Sequence, residues 1–508
     1  MGGGSILFVD TAEVSILKKK GRGVVRVKRY LSLFFLPSFF LFLGCASILS
    51  QRIPQTLERP RPCQGFFERL DEKVREAGVR DASAFSVPGF PYLRTSRFLS
   101  ALKERLKDEQ ERKIWVRWMQ DLDLRSRKKE INHLPDEMVR SLTSRDQPDR
   151  ESLHGQMESC SSELLSHDQT HSDFYPLLQS LVDVPDEYSL ILRAFGLYPI
   201  IALPVAVVTE NSREKIRRRF DTDLKDLPVD GSLRAFVPGK GQPLGRERIQ
   251  EIIEESRKNP LRVPLPDATR KRELVEAFAP IFIQDMAAPY DRLGEVRWKN
   301  HRIEVNPEKP TVYYYFSHAL LRGEPILQIN YAIWYSERGG ERPPSIEKGH
   351  LDGLTARISL DGQGSVFMVD VENNCGCYHL FAPDRERIDR VLSRPLMFDA
   401  MVPQWLPEIS SGEHLGIRIN SGWHQVQRLM SVKEAPDPVP YELVPYDVLE
   451  ALPHEDGRTE SIFNEHGIAK GSERVERFLL FSMGIPSVGS MRQRGHHAIE
   501  LIGRVHFD

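Results

Sequence analysis

The sharpest constraint on the fold is a change in residue pattern near residue 280. From there to about residue 429 the chain is dense in β-branched and aromatic residues, which favour strands. The clearest examples are residues 311–316 (TVYYYF) and residues 326–335 (ILQINYAIWY). We therefore predict a β-rich domain over residues 280–432.

Helical spacing of apolar residues dominates the chain before this domain. We predict that residues 66–279 form a mainly helical domain. The stretch 125–172 is rich in charge, Ser and His and has little periodicity, so we interpret it as a flexible insertion. Residues 433–508 are predicted to form a C-terminal helical extension. The expected fold class is α+β, with a helical N-terminal half followed by a β-rich, mainly antiparallel C-terminal domain.

One apolar segment in the helical half stands out. Residues 197–208 (LYPIIALPVAVV) are too few to span a bilayer, and Pro199 and Pro204 interrupt them. We interpret this segment as a buried strand or core element, and contact with a membrane is the alternative. The basic run 213–219 (REKIRRR) is interpreted as a solvated helix face, with contact to anionic lipid as its alternative.

The N-terminus combines a basic segment with a short apolar run. Basic residues cluster between residues 18 and 29, and residues 30–43 carry no charge. The run ends in the sequence LFLGC at residues 41–45. A membrane span needs about 20 apolar residues, so a run of this length is typical of a signal peptide. An uncleaved N-terminal anchor helix is the alternative.

This ending resembles the lipobox of bacterial lipoprotein precursors, in which the final Cys is lipidated and the preceding peptide is removed. The resemblance implies that residues 1–44 are a signal peptide and that Cys45 carries the lipid anchor. Residues 45–65, which contain three prolines, would be a tether. The residue after the Cys is Ala46 rather than Asp. In this family that implies a bacterial outer-membrane protein facing the periplasm.

Composition excludes some classes of function. The chain has 508 residues and a net charge of −2, which argues against general nucleic-acid binding. Five cysteines are too few for a disulfide scaffold in an exported protein of this size. Cys63 and Cys160 are candidates for a disulfide, whereas Cys375 and Cys377 are separated only by Gly376.

The segment CGCYH, from Cys375 to His379, is the strongest candidate for chemistry. Alternate side chains of a strand share one face, so Cys375, Cys377 and His379 would point the same way. Thiolate and imidazole are ligands that suit zinc or a softer transition metal. Because the first and third ligands of an extended strand lie roughly 13 Å apart, a bend at Gly376 is required.

A predicted hairpin adds further candidates. Two strand-like runs flank the turn sequence DGQG. If the first and last residues of this turn pair, His350 lies opposite Cys375 and Asp352 lies opposite Asn373. Directly opposed Cβ atoms are about 4.5–5.5 Å apart. A bulge would change this register.

Four interpretations of this cluster stay open. The first is a metal site of Cys375, Cys377, His379 and His350. The second is a redox-active pair of the two thiols, and the third is a Cys375 nucleophile with His350 as base and Asp352 as orienter. The fourth is structural, with a disulfide or buried thiols beside ordinary strand histidines. Haem attachment requires C-x-x-C-H, which this spacing does not supply.

Four further residues are secondary candidates. His414 and His424 lie on a neighbouring predicted strand pair. Arg492 and Arg494 lie near the C-terminus, where arginines suit carboxylate or phosphate recognition. The alternative for the two arginines is a solvated basic tail.

The sequence lacks G-x-S-x-G, P-loop, H-E-x-x-H and G-x-G-x-x-G motifs. We therefore predict a cell-envelope lipoprotein that carries a thiol site or a Cys/His site for zinc or another transition metal. The alternative is a non-catalytic envelope protein that binds a protein partner or a wall polymer. Whether the chain is an enzyme is left open, and its expected membrane contact is the lipid anchor.

Mass spectrometry of the N-terminus, on chain recovered from the membrane fraction, tests the lipobox. We predict that Cys45 is the first residue and carries fatty acids. A Cys45→Ser chain should keep its precursor mass, because the modified thiol is missing. An unmodified N-terminus upstream of residue 45 in the natural chain would instead support the anchor helix.

Overall fold

The computed structural model describes residues 59–143, 146–239, 244–386, 400–410, 412–499 and 501. Cys45, the expected signal peptide and most of the expected tether lie outside the described residues, so lipidation stays a prediction. The part of the tether that is described differs from expectation, because a helix begins at Arg61. The described residues all belong to one compact unit.

Helices dominate the first half of the described chain and strands the second half, which confirms the predicted α+β class. The helices are α1 (Arg61–Ala77), α2 (Arg97–Leu102), α3 (Glu109–His133), α4 (Asp136–Thr143), α5 (Arg150–Asp168), α6 (Phe174–Leu181), α7 (Leu190–Phe195), α8 (Tyr198–Asp221), α9 (Arg246–Ser256), α10 (Ala268–Ala277) and α11 (Glu476–Leu479). The strands are β1 (Phe85–Val87), β2 (Phe90–Thr95), β3 (Ser232–Pro238), β4 (Ile281–Met286), β5 (Glu295–Lys299), β6 (Arg302–Asn306), β7 (Thr311–Leu321), β8 (Glu324–Arg338), β9 (Gly349–Leu360), β10 (Val366–Asn373), β11 (Leu380–Pro383), β12 (His414–Ile419), β13 (Val426–Val432), β14 (Pro438–Pro445), β15 (Leu452–Pro453) and β16 (Thr459–Glu460).

One large sheet organises the second half of the chain. Its strand order is β11-β10-β9-β8-β7-β14-β3-β4-β12-β13. Neighbours are antiparallel except that β14 runs parallel to β7 and β3, and β12 runs parallel to β4. The central strands β7 and β8 contain the two aromatic runs that predicted strands. Helices α8, α9 and α10 pack apolar side chains against the sheet to form the main core.

A second core lies among α1, α3, α5, α6 and β2 in the N-terminal part. Cys63 of α1 and Cys160 of α5 form a disulfide, so this suggested pairing is confirmed. The bond joins two helices whose cysteines are 97 residues apart in sequence. It therefore removes freedom from a long loop of the unfolded chain.

The stretch 125–172 is largely helical, which corrects the predicted flexible insertion. Helix α3 continues through it to His133, and α5 begins at Arg150. From Gln120 to Glu130 the buried face of α3 is polar and charged rather than apolar. Asp123 and Glu130 both accept hydrogen bonds from the buried Arg94. On this face ion pairs replace apolar contacts. Apolar residues therefore do not recur at helical spacing in this part of the sequence.

The predicted domain boundaries also differ from the structure. Strand β3 precedes residue 280, and β14 follows residue 432, yet both lie inside the large sheet. β14 pairs in parallel with both β7 and β3, so it lies between two strands that are distant from each other in sequence. The segment 433–508 is therefore not mainly helical, and its longest described α-helix is the short α11.

Residues 197–208 belong to helix α8 and its N-terminal boundary, which corrects the predicted buried strand or core element. Pro199 is compatible with the first helical turn, where the backbone N–H has no helical partner. Most apolar side chains of this half-helix are exposed. In the described part of the chain, no helix combines the length and apolar character needed to cross a membrane.

Candidate functional site

The two cysteines of the CGC motif lie in a turn rather than on a strand. β10 ends at Asn373, and β11 begins at Leu380. The bend predicted at Gly376 is present, with a φ of 82° that glycine adopts easily. The backbone N–H of Asn373 donates to the carbonyl oxygen of Cys377 at 3.0 Å. Strand alternation therefore does not set the directions of these side chains.

The predicted hairpin between β9 and β10 is present, but its register differs. Asn373 pairs with Leu354 rather than with Asp352. The register shifts at the start of β10, where the strand is irregular. β10 also ends before the thiols. The cross-strand partner of His350 is therefore Glu337 of β8.

The two histidines of the predicted metal site bond elsewhere. His350 is exposed, and its Nε2 lies 2.8 Å from the carbonyl oxygen of Ile303. His379 is buried, with Nε2 2.7 Å from Asp370 Oδ1. Among the residues that the structure describes, no group of three or more His, Cys, Asp or Glu side chains is arranged to hold a metal ion. The predicted ligand set is therefore not assembled here.

The structure does keep the two thiols together. Cys375 is fully buried, Cys377 is half-buried, and both are free thiols. A hydrogen bond from Cys377 lowers the pKa of Cys375; burial opposes this shift and Arg338 reinforces it. The same hydrogen bond, together with burial, raises the pKa of Cys377. The pair therefore loses its first proton more readily than an isolated buried cysteine would.

Arg338, the last residue of β8, is the centre of a buried ion network beside the thiols. Its Nε and Nη2 donate to Asp352 at 3.0 and 2.9 Å, and its Nη1 donates to Glu347 at 2.9 Å. Burial acts to raise the pKa of Asp352. Arg338 and His424 outweigh it and hold that pKa well below its usual range. Asp352 is therefore a buried carboxylate paired with Arg338, not an orienter of His350.

His424 extends this network. Its Nδ1 lies 2.8 Å from Asp352 Oδ2, and its Nε2 lies 3.4 Å from Asp291 Oδ1. The ring stacks on Tyr335 with centroids 3.8 Å apart. Burial lowers the pKa of His424, but the two carboxylates raise it above its ordinary value. Because both ring nitrogens face buried carboxylates, His424 positions the chain rather than contacting a ligand.

Glu476 of α11 completes the surroundings of the thiols. It is only 7% exposed. Burial, with the nearby charges of Glu347 and Cys375, raises the pKa of Glu476 to about 8. At neutral pH this carboxyl is therefore mostly protonated, which avoids a further buried negative charge beside the thiols.

A pocket of about 250 Å³ lies against this network. Tyr378 and Trp423 line it, and both donate hydrogen bonds to Glu347, at 3.0 and 2.8 Å. Lys215 and Arg219 of α8 line another wall. One wall of the pocket is thus fixed to Arg338 through Glu347, while the other is cationic.

A larger cavity of about 800 Å³ lies beside α3 and the segment that carries β15 and β16. Most of its charged groups pair with one another. Lys129 pairs with Glu450, and Lys470 pairs with Glu460, at 2.5 and 2.6 Å. His454 also lies 2.8 Å from Glu460. Balanced charges of this kind give no preference for a charged ligand.

The remaining secondary candidates have structural contacts. His414 begins β12, where it pairs with Val432 of β13, and is half-buried. Arg492 donates to Glu187 at 2.7 Å. Arg494 donates to Glu450 at 2.7 and 3.0 Å. The two arginines therefore bind carboxylates of the chain itself and are not a solvated basic tail.

No protein-family model, curated protein or solved structure matches this chain. The site is therefore interpreted from its own geometry. Sequence reasoning missed Arg338, Glu347 and Asp291. A charged residue at a strand end or in a turn is usually solvated, so nothing in the local pattern indicated burial.

We predict that His424→Asn lowers the free energy of unfolding by about 3–5 kcal/mol at pH 6, because the buried Asp291 and Asp352 each lose a cationic neighbour, although Asp352 keeps Arg338. The pKa of His424 is raised on folding, so its contribution is complete below about pH 6.5 and is lost as pH rises through the folded pKa. The difference between the natural chain and the variant should therefore shrink above pH 6.5.

Urea unfolding between pH 6 and pH 9 measures this difference. His414→Asn is the control, because His414 is half-buried outside the network, and it should change stability by about 0.5 kcal/mol or less. A His424→Asn difference that stays constant over this pH range would show that His424 is neutral in the folded chain.

Proposed function

We propose that this chain is a lipid-anchored protein of the bacterial envelope that makes a non-catalytic contact with the membrane surface. The observation that carries this proposal is an exposed apolar surface formed by α7, the first half of α8 and residues 475–481. We call it the apolar surface. Its members are Leu190, Ile191, Phe195, Leu197, Ile200, Ile201, Leu203, Val207, Val208, Val475, Phe478, Leu479 and Phe481.

The exposure of these side chains is unusually high for large apolar residues. Phe195 is 78% exposed, Leu203 is 70% exposed and Ile191 is 68% exposed. Contiguous apolar patches on soluble proteins generally mark interaction sites. Burying one such side chain contributes about 1.5–3 kcal/mol, so the whole surface offers on the order of 10 kcal/mol before the costs of association.

The structure fixes these helices with their apolar side chains outward. Arg193 of α7 is buried, and its Nε donates to the carbonyl oxygen of Met483 at 2.9 Å. The N–H of Ser189 donates to the carbonyl oxygen of Gly484 at 2.6 Å. Gly196 packs against Ser482 so closely that a Cβ would collide there. Burial of the apolar surface would therefore require a different packing of α7.

The charge pattern favours a membrane over a second protein chain. The second half of α8, residues 209–221, carries five cationic and three acidic residues. A helix that is apolar at one end and basic at the other suits the boundary between acyl chains and anionic headgroups. The lipobox supports the same location. The segment from Cys45 to Arg59 has a contour length of up to about 50 Å, short enough to keep the folded unit beside the membrane.

Flotation with phosphatidylglycerol vesicles tests the apolar surface without the lipid anchor. The chain from residue 46 to 508 should float with the vesicles. Leu203→Glu should weaken partitioning about tenfold or more, because it replaces a membrane-buried side chain by a charge. Asn211→Glu is the matched control, since Asn211 is an exposed polar residue of the same helix.

Equal flotation of the two variants would contradict membrane contact through this surface. Self-association of the natural chain without vesicles, abolished by Leu203→Glu, would assign the surface to a second copy instead.

A second candidate function is thiol redox exchange, which the adjacency of Cys375 and Cys377 favours. A thiolate of the pair attacks a small disulfide and releases one thiolate. The sulfur of the other cysteine then attacks this mixed disulfide and displaces the remaining half of the small molecule as a second thiolate. A disulfide thereby forms between Cys375 and Cys377. The small disulfide gains two electrons and is reduced to two thiols. Zinc or another transition metal at these thiols stays a prediction.

Mass spectrometry in glutathione redox buffers tests the exchange. We predict a reversible loss of two hydrogens from the peptide that contains Cys375 and Cys377, because the turn already holds both thiols in contact. Cys377→Ser should abolish the change, while the disulfide between Cys63 and Cys160 is the internal reference. A native chain whose two thiols do not react with oxidised glutathione would rule out this function.

A further inference from the structure

The pocket between α8 and the segments that carry Tyr378 and Trp423 has an unbalanced charge. Lys215, Arg219 and Arg342 line it. Arg342 pairs with Asp230 at 2.5 Å. Within the described ranges of the chain, no carboxylate pairs with Lys215 or Arg219. The lining therefore holds more positive charge than its neighbours neutralise.

Arg219 shows this imbalance most clearly. It is half-buried, and its Nη1 donates to Gln425 Oε1 at 2.7 Å. Its guanidinium carbon lies 5.9 Å from the centre of the Trp423 ring. Burial and the like charge of Arg342 lower the pKa of Arg219. An anion in the pocket would stabilise both guanidinium groups.

The pocket is also continuous with the helix that carries the apolar surface. Lys215 and Arg219 are four residues apart, so they lie on one face of α8. Leu203 precedes Lys215 by 12 residues, which is about 18 Å along the helix axis. When the apolar half of α8 contacts acyl chains, the cationic half lies within reach of the headgroups.

We propose that this pocket binds a phosphate group, carried by the headgroup of a membrane lipid. The assignment of the phosphate to a lipid rests on the proposed membrane contact, whereas the chemistry of the pocket does not. Guanidinium and ammonium groups are suited to phosphate oxygens. The pocket of about 250 Å³ is smaller than the 300–1,000 Å³ typical of drug-sized ligands, so a phosphate with a small alcohol matches its size.

Calorimetry on the lipid-bearing mature chain in a nonionic detergent tests the pocket. The probes are inorganic phosphate, glycerol 3-phosphate, and mixed micelles of phosphatidylglycerol or phosphatidylcholine, all at 0.15 M salt. Glycerol 3-phosphate and phosphatidylglycerol should bind. Lys215→Gln and Arg219→Gln should each weaken that binding about tenfold, since each removes one charge-assisted hydrogen bond.

Arg218→Gln is the matched control. Arg218 neighbours Arg219 in sequence, but its side chain is 77% exposed and pairs with Glu214 outside the pocket. It should leave the affinity unchanged. The melting temperature of each variant checks folding, and Lys215 is exposed, so its substitution leaves the core intact.

The outcomes separate the pocket from the membrane contact. Failure of every phosphate probe to bind the natural chain, or equal weakening by Arg218→Gln, would overturn the proposal. Binding of glycerol 3-phosphate but of neither lipid micelle would leave a phosphate pocket and overturn its lipid source. If Leu203→Glu leaves vesicle binding unchanged while Lys215→Gln weakens glycerol 3-phosphate binding, the apolar surface fails and the phosphate pocket stands.

Discussion

The buried guanidinium of Arg338 is the constraint on which the rest of the site depends. It ends β8 and binds carboxylates from two further segments, Asp352 of β9 and Glu347 of the preceding turn. Asp352 in turn binds His424, and Glu347 accepts hydrogen bonds from Tyr378. A charge that is removed from water must be paired with an opposite charge. Pairing every charge of this network therefore fixes the position of each of these segments.

This network explains why residues that suggested a catalytic or metal site serve the architecture instead. Asp352 and His424 are paired inside the protein, and His350 lies on the surface. Only Cys375 and Cys377 remain together as free thiols. The apolar surface and the cationic pocket both face outward and are chemically suited to binding apolar and anionic groups.

The sequence predicted those elements whose signals are local. The aromatic runs became β7 and β8, and Asp267, a residue type favoured at helix N-caps, caps α10. Features that depend on distant partners were not predictable. The buried charges of α3 depend on Arg94, which lies opposite them, and the hairpin register depends on an irregularity at the start of β10. The outward face of α8 has no local signal, since apolar residues usually indicate burial.

The most direct test of membrane contact is the depth of a spin label at Leu203→Cys in the lipid-bearing chain on phosphatidylglycerol vesicles. A label at Glu137→Cys, an exposed position of α4, is the reference for a site in water. The natural chain, treated with the same label, gives the background signal. If the apolar surface enters the bilayer, the label at position 203 should be more accessible to oxygen than to a water-soluble nickel chelate. Equal nickel accessibility at positions 203 and 137 would contradict membrane contact and leave the apolar surface in water.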